Sequence, residues 1–403
     1  MTVKIEKGRA VGRITVPTSK SIAHRLLIAA ALCKDQVSII TGICPCQDVL
    51  ATVDCLNALG VKIEYRGDCA KVLGIDFSSA LPDSILNCRE SGSTLRFLIP
   101  LALLCGKEVT FIGTKKLISR PQSVYENMAA ELGLVFKKSD ESITVKGPIK
   151  SGIYRVRGDV SSQFITGLLF ALSTLESNSV IEITTPIESR SYIDLTISAL
   201  KEFGVIIEWQ DSARLLIKGG QAFKSRDLTV EGDYSGSAFI EAFNLIGGCV
   251  EADGLRNDSL QGDRVYREHF GALQKGFAKI DLEDCPDLGP ILFTVAALLH
   301  GGRFTGTKRL SIKESDRASA MKEELSKFGA ELTVEENSVT VNKRELHSPT
   351  ERLSSHNDHR VAMSLAVIAT VYGGEIDGAE AVGKSYPDFF MDIKKLGITA
   401  YEI

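Results

Sequence analysis

Eight cationic side chains stand near the starts of nearly uncharged, helix-forming stretches or on nearby loops: Lys20, Arg25, Arg96, Arg120, Lys313, Arg317, Arg360 and Lys384. A Lys or Arg at the start of an apolar helix cannot reach water without leaving the buried element, and burying it unpaired is costly. Several such residues from both halves of the chain imply a small, heavily anionic ligand with phosphate and carboxylate groups. Arg suits bidentate recognition of both groups, and Lys serves as a point charge. Each charge-assisted hydrogen bond contributes about 1.5–3 kcal/mol net. Acids and a base accompany the cations. Asp287 opens a buried stretch after Cys-Pro, Glu314 lies between Lys313 and Arg317, and His359 follows Asn-Asp. Each has a bland alternative: a helix cap, an ion pair on a helix face, a satisfied helix-start histidine. Their joint placement beside the cations points to proton transfer on an anionic substrate.

The elements that must position these residues repeat. Six apolar helical stretches begin at Ser21, Ser93, Ser162, Ser235, Asp287 and Asp358, with gaps of 72, 69, 73, 52 and 71. A second series of amphipathic stretches, each followed by a period-2 run, is stopped by Gly60, Gly133, Gly204, Gly276, Gly329 and Gly397. Their gaps are 73, 71, 72, 53 and 68, short at the same place as the first series. A Gly just past an amphipathic stretch is the expected left-handed helix stop, and the alternating run after it reads as a strand. The chain therefore reads as six copies of one unit, each with two helices and three or four strands. The apolar helices are expected to be buried, the amphipathic ones to cover sheets. Their Ser, Gly or Asp starts suit N-caps, and free N–H groups there attract anions. A chain of 403 residues exceeds one core, so the copies divide three and three between two α/β domains.

Composition excludes other classes. At 44% apolar and 24% charged the chain reads as globular, and a net charge of −4 argues against nucleic-acid or polybasic membrane partners. No run of 18 apolar residues and no secretory signal are read, so a cytoplasmic protein is expected. The nine scattered Cys show no metal-ligand pattern and are expected to be reduced; neither a metal nor an organic cofactor is expected. Gly378–Ser385 fits the Walker A pattern, but only 18 residues follow it and Pro387 arrives at once. Lys384 is expected to reach an anion from a loop instead.

At this point the motifs resemble one family, the 5-enolpyruvylshikimate-3-phosphate synthases, which are 3-phosphoshikimate 1-carboxyvinyltransferases. The match runs in order from about Lys20 to Phe390. It is carried by Pro17-Thr-Ser-Lys-Ser-Ile-Ala-His-Arg25, Ser91-Gly-Ser-Thr-Leu-Arg96, Arg120-Pro121 and Val160-Ser-Ser-Gln-Phe164. Ser189-Arg-Ser-Tyr-Ile-Asp194, Glu231-Gly-Asp233, Pro286-Asp287, Lys313-Glu-Ser-Asp-Arg317, Asp358-His-Arg360 and Lys384-Ser-Tyr-Pro-Asp388 complete it. The resemblance implies two domains of three β-α-β-α-β-β units each, around buried helices. Residues 15–230 would form one, and residues 1–14 with 231–403 the other, with the active site in the cleft between them.

The resemblance also implies roles. Lys20, Ser21, Arg25, Ser161, Ser162, Gln163, Ser189, Tyr192, Asp287 and Lys313 would bind shikimate 3-phosphate. Lys20, Gly92, Arg96, Arg120, Gln163, Arg317, Arg360 and Lys384 would bind phosphoenolpyruvate. Asp287, Lys313, Glu314 and His359 would be catalytic, in an addition–elimination through a tetrahedral intermediate by a monomeric enzyme. Glu90 stands where many members have Asn, Ser93 where they have Thr, and Arg309 where some have Asn. The nearest rival, a UDP-N-acetylglucosamine enolpyruvyl transferase, would need a reactive Cys that the segment 114–121 lacks. A rival of another class is a repeat scaffold that binds anions without turnover.

Overall fold

A computed structural model describes residues 1–80 and 85–403. The chain divides into two compact units, Thr18–Glu231 and Met1–Pro17 with Gly232–Ile403. Each has its own apolar core. Helices alternate in kind along the chain. The first unit holds α1 (Lys20–Ala31) and α2 (Gln47–Ala58), α3 (Gly92–Ala102) and α4 (Ser123–Leu132), and α5 (Ser162–Leu172) and α6 (Arg190–Glu202). The other holds α7 (Tyr234–Glu241) and α8 (Tyr266–Lys275), α9 (Gly289–Leu298) and α10 (Arg317–Ser326), and α11 (His359–Tyr372) and α12 (Phe389–Lys395).

In each pair the first helix is the apolar one, and it is buried nearly all round. In α5 only Gln163 escapes burial, and in α9 only Leu298 does. A helix without a polar face has no stable place except inside a core. The starts lie within two residues of the sequence reading, and at Ser162 they coincide. Ser91, Ser161, Asp233 and Asp358 accept hydrogen bonds from the backbone N–H of Thr94, Gln163, Gly236 and Arg360. Asp287 is not a cap; it sits in a 3-10 turn, Pro286–Leu288, ahead of α9.

Five four-stranded sheets share one pattern. A strand pairs parallel with its neighbour, and two antiparallel strands follow. In the sheet of Ile153–Val156, Ser179–Ile183, Arg214–Ile217 and Ile207–Trp209, the helix α5 makes the parallel crossover and α6 leads into the hairpin. Such a crossover needs a helix, whereas the hairpin needs only a turn.

The fourth copy breaks the pattern, and this explains the short gap. No hairpin follows α8; Gly276 (φ 153°, ψ −165°) is extended and leads straight into Ala278–Asp281, the first strand of the next sheet. What remains is a two-stranded sheet in which Cys249–Asp253 pairs parallel with Val11–Thr15 from the N-terminus. The last copy also borrows: Thr2–Ile5 lies between Gly374–Asp377 and Ala400–Glu402, antiparallel to both. The N-terminal segment thus completes two sheets of the second unit.

The buried helices approach closely where Gly permits it. A Cβ at Gly167 of α5 would collide with the Arg96 carbonyl oxygen and the Tyr125 hydroxyl. That hydroxyl donates to the Arg96 carbonyl at 2.7 Å. Gly167→Ala gains about 1 kcal/mol of helix propensity. Displacing rigid backbone in a packed core costs about 1–3 kcal/mol, and here the hydroxyl loses its partner as well. Urea unfolding of Gly167→Ala is expected to show a net loss of about 1–2 kcal/mol; a variant more stable than the parent would contradict the packing.

Candidate active site

The first unit gathers cations around helix starts. Arg25, 3% exposed, donates from Nε to Thr196 Oγ1 (2.9 Å), from Nη1 to the Ser21 carbonyl (2.6 Å) and from Nη2 to the Tyr192 carbonyl (2.9 Å). Its guanidinium lies against Phe97 and Tyr192, and burial lowers its pKa to about 10. Three of its five N–H groups are committed to the protein, so a ligand meets a cation whose orientation is already fixed. Lys20 ends 2.8 Å from Asp48 Oδ2. Arg96, over the Phe164 ring, donates to Gln163 Oε1 (2.8 Å) and to the Pro121 carbonyl (3.0 Å). Gln163 Nε2 in turn donates to Ser93 Oγ (3.0 Å). Gly92 brings the start of α3 close to Arg120, since a Cβ there would lie 2.8 Å from Arg120 Nη1.

Ser161 and Ser162 open α5, so the hydroxyls and free N–H groups of one helix start adjoin. Ser189 precedes α6 at φ 58°, ψ 48°, a left-handed conformation that costs a non-Gly residue about 1–3 kcal/mol. Such strain persists only where the surroundings fix it, here with Ser189 2% exposed and its carbonyl accepting from the Tyr192 N–H. Glu90 is half-buried.

The second unit builds a network on Arg317, which is 1% exposed. Its Nε donates to Asp358 Oδ2 (2.9 Å), Nη1 to Asp287 Oδ1 (2.8 Å) and Nη2 to Glu314 Oε2 (2.6 Å). Asp358, 0% exposed, also accepts from Ser315 Oγ and from the Arg360 N–H. Asp287 is held as well by Arg360 Nη2 (2.9 Å) and Lys313 Nζ (3.3 Å). Burial opposes ionisation of Asp287, but Arg360, Lys313 and Arg317 outweigh it and hold the carboxyl well below its ordinary range. Burial pushes the Lys313 ammonium down, against the pull of Asp287. A proton acceptor and a destabilised ammonium thus lie side by side.

Asp287, Lys313, Glu314, Arg317 and Arg360 are in direct contact. Lys384, 6% exposed, joins them by donating to the Asn357 carbonyl (2.6 Å), next to Asp358. His359 is 1% exposed, its Nδ1 3.9 Å from Asp358 Oδ1. The Walker-like segment is a 3-10 turn, Ala379–Lys384, and the next helix, α12, begins only at Phe389, after Pro387. Arg309 is 6% exposed and donates to the Glu283 carbonyl. All nine cysteines are free. Among the described residues no helix is long and apolar enough to cross a membrane.

One residue of this network escaped the sequence reading. Asp263, 2% exposed, accepts from the Ser235 hydroxyl, and its Oδ1 has no hydrogen-bond partner. Burial first, then the charge of Asp287, push its carboxyl up to about 7, with Arg360 and Ser235 opposing. The available signal was Gln261-Gly262-Asp263. Gln261 bonds both the Gly232 carbonyl and the Tyr234 N–H, tying that turn to the start of α7. Between an unfolded carboxyl near 3.9 and the folded one near 7, the folded state binds the extra proton, so stability falls as pH rises through that window. Asp263→Asn removes the titration. Its stability relative to the parent is expected to rise by roughly 2–3 kcal/mol from about pH 5 to about pH 8 in urea unfolding. A difference independent of pH would contradict a buried acid here.

Comparison with known proteins agrees with this geometry. A family model described as EPSP synthase (3-phosphoshikimate 1-carboxyvinyltransferase) matches residues 5–393. A 3-phosphoshikimate 1-carboxyvinyltransferase of Clostridium kluyveri is 40% identical, over 98% of this chain and 97% of its own. That of Clostridium novyi is 41% identical with the same coverage. An EPSP synthase structure from Acinetobacter baumannii superposes with a TM-score of 0.78, covering 100% of both chains at 22% identity, which speaks to the fold. With its six-copy organisation, its two cationic clusters and these relatives, the chain belongs to the EPSP synthase family.

Proposed function

We propose that the protein transfers the carboxyvinyl group of phosphoenolpyruvate to the 5-hydroxyl of shikimate 3-phosphate, releasing inorganic phosphate. The observation that carries the reading is the Asp287 carboxylate ringed by Lys313, Arg317 and Arg360, with Glu314 on the same guanidinium. The buried Arg317 needs carboxylate partners in any role, but Asp287 and Glu314 are each 20% exposed and so can also exchange a proton with a ligand. Their presence there fits proton transfer.

In this reading the 5-hydroxyl oxygen attacks C2 of phosphoenolpyruvate and loses its proton to Asp287, assisted by Lys313. Glu314 delivers a proton to C3, giving a tetrahedral intermediate. The C2–O bond to phosphate then breaks, the phosphate takes the proton held by Asp287, Glu314 takes back a proton from C3, and the enol ether forms. When Arg360 engages phosphoenolpyruvate, one cation is drawn from Asp287 and its basicity rises. Lys20, Gly92, Arg96, Arg120, Gln163, Arg317, Arg360 and Lys384 bind phosphoenolpyruvate. Ser161, Ser162 and Ser189 take the 3-phosphate of the other substrate, with Lys20, Ser21, Arg25, Gln163, Tyr192, Asp287 and Lys313 on its ring and carboxylate. Preformed donors around the carboxylate and the leaving phosphate stabilise the charge that develops there. His359 backs the cluster from the first turn of α11. The reading places a monomeric enzyme of aromatic amino-acid biosynthesis in the cytoplasm.

Mixing the protein with both substrates and following inorganic phosphate tests the reading. Release that requires both substrates is expected; none from folded protein would overturn it. Glu314→Gln is expected to bind both substrates but to lose about 10²–10⁴-fold in kcat, the usual worth of a positioned proton donor. Parent-like turnover would remove Glu314 from that role.

A further inference from the structure

Helix α10 holds the approach to α11 at two points. Arg317 in its first turn binds Asp358, and Glu324, two turns later on the same face, binds His356. Glu324 is 0% exposed and fully partnered. Oε1 accepts from His356 Nε2 (2.9 Å) and Lys327 Nζ (3.0 Å), and Oε2 from Lys327 Nζ (3.0 Å) and the Ser354 N–H (2.8 Å). No step of the proposed reaction uses these groups.

The held segment is strained. His356 (φ 49°) and Asn357 (φ 53°) are consecutive non-Gly residues in the left-handed region. Such a pair persists only when neighbours over-determine it. Here the His356 N–H donates to Ser354 Oγ (3.1 Å), the Asn357 N–H to Ser355 Oγ (3.2 Å), and the imidazole to Glu324. The double turn aims the Asn357 carbonyl at Lys384 Nζ and delivers Asp358 to Arg317, with His359 and Arg360 next in the chain.

We propose that His356 is a positioning residue: protonated and bonded to Glu324, it locks the turn that sets Lys384 and Arg360 for phosphoenolpyruvate. The proposal rests on the reading that these two cations bind that substrate. The charged groups facing the imidazole are Glu323 (4.0 Å), Glu324 and Lys327 of α10. Earlier in the same segment, Arg352 is turned to Glu375 and Asp377. The Glu324 hydrogen bond raises the imidazole pKa above its ordinary value, against burial. The lock is therefore strongest at low pH and loosens as pH rises through the raised value, where the neutral imidazole keeps only an uncharged Nε2–H bond. Glu323, Glu324 and His356 also approach closely enough to hold a cation, but the Lys327 ammonium already occupies both Glu324 oxygens.

The test is the KM for each substrate from about pH 6 to about pH 9 in the parent, His356→Gln and His356→Ala. The Gln amide keeps a donor toward Glu324 but does not titrate. The parent's KM for phosphoenolpyruvate is expected to rise about threefold to tenfold relative to His356→Gln across that range, with the KM for shikimate 3-phosphate and kcat parallel in the two. His356→Ala is expected to show the raised KM at every pH. The Gln comparison carries the test by itself where the Ala variant fails to fold. Superimposable parent and His356→Gln profiles, or an Ala variant with the parent's low-pH KM, overturn the lock and leave the functional reading standing. A parent that releases no phosphate at any pH overturns that reading and the lock with it.

Discussion

A guanidinium 1% exposed must be paired, and Arg317 is paired three ways. Much of the second unit's chemistry follows from that constraint. Desolvating the ion costs several kcal/mol, and recovering it requires carboxylates in fixed places. Asp358 supplies one from the cap of α11, Glu314 one from the turn before α10, and Asp287 one from the turn before α9. Three helix starts are therefore tied to one side chain. Burial opposes the charge on Asp358, and Arg317 reverses that, holding the carboxyl below its ordinary range. The same side chain keeps Asp287 ionised among cations. The site is thus pre-organised by an ion network, not by packing alone, and Arg360 and Lys313 join it through Asp287.

The first unit reaches a similar result by other means. Arg25 and Arg96 are held largely by carbonyls, an amide, a hydroxyl and aromatic faces. Carboxylates are fewer there, with Asp48 on Lys20 the clear instance. The contrast fits the proposed division of labour, in which the first unit grips a phosphorylated ring and the second carries the proton-transfer groups. Both depend on the same fold device, an apolar helix whose start is the one polar place on it. Gly167 shows the cost of packing three such helices in one core, since a single methyl would strike the neighbouring backbone.

Much of this was legible in the sequence for physical reasons. Apolar helices without a polar face can only be buried, so α5 and α9 were visible as interior elements from composition alone. Cations at or beside helix starts could only be site residues or buried pairs, and Arg317 and Arg96 are both partnered inside the protein. The short gap between the fourth and fifth copies showed that something was missing, but not what. The missing hairpin appears only when Cys249–Asp253 is seen to borrow Val11–Thr15 across more than half the chain. Asp263 was missed because its importance lies in burial and in an Oδ1 left without a donor, neither of which a Gln-Gly-Asp triplet announces. Glu324 and His356 were missed for a related reason. A Glu on a charged helix reads as solvent-facing, and its partner His356 lies in a strained turn 32 residues away.

The account stands or falls on whether the Arg317 network is held as one unit. A double-mutant cycle on Arg317→Met and Asp358→Asn, read by urea unfolding at neutral pH, measures this most directly. Removing either partner strands the other in a buried place, which costs about 3–5 kcal/mol, whereas removing both leaves no stranded charge between them. The account predicts a double variant that loses less than the sum of the two single losses, by a coupling energy of about 2–3 kcal/mol. Strictly additive losses would show that the two residues stabilise the protein independently, and would contradict it.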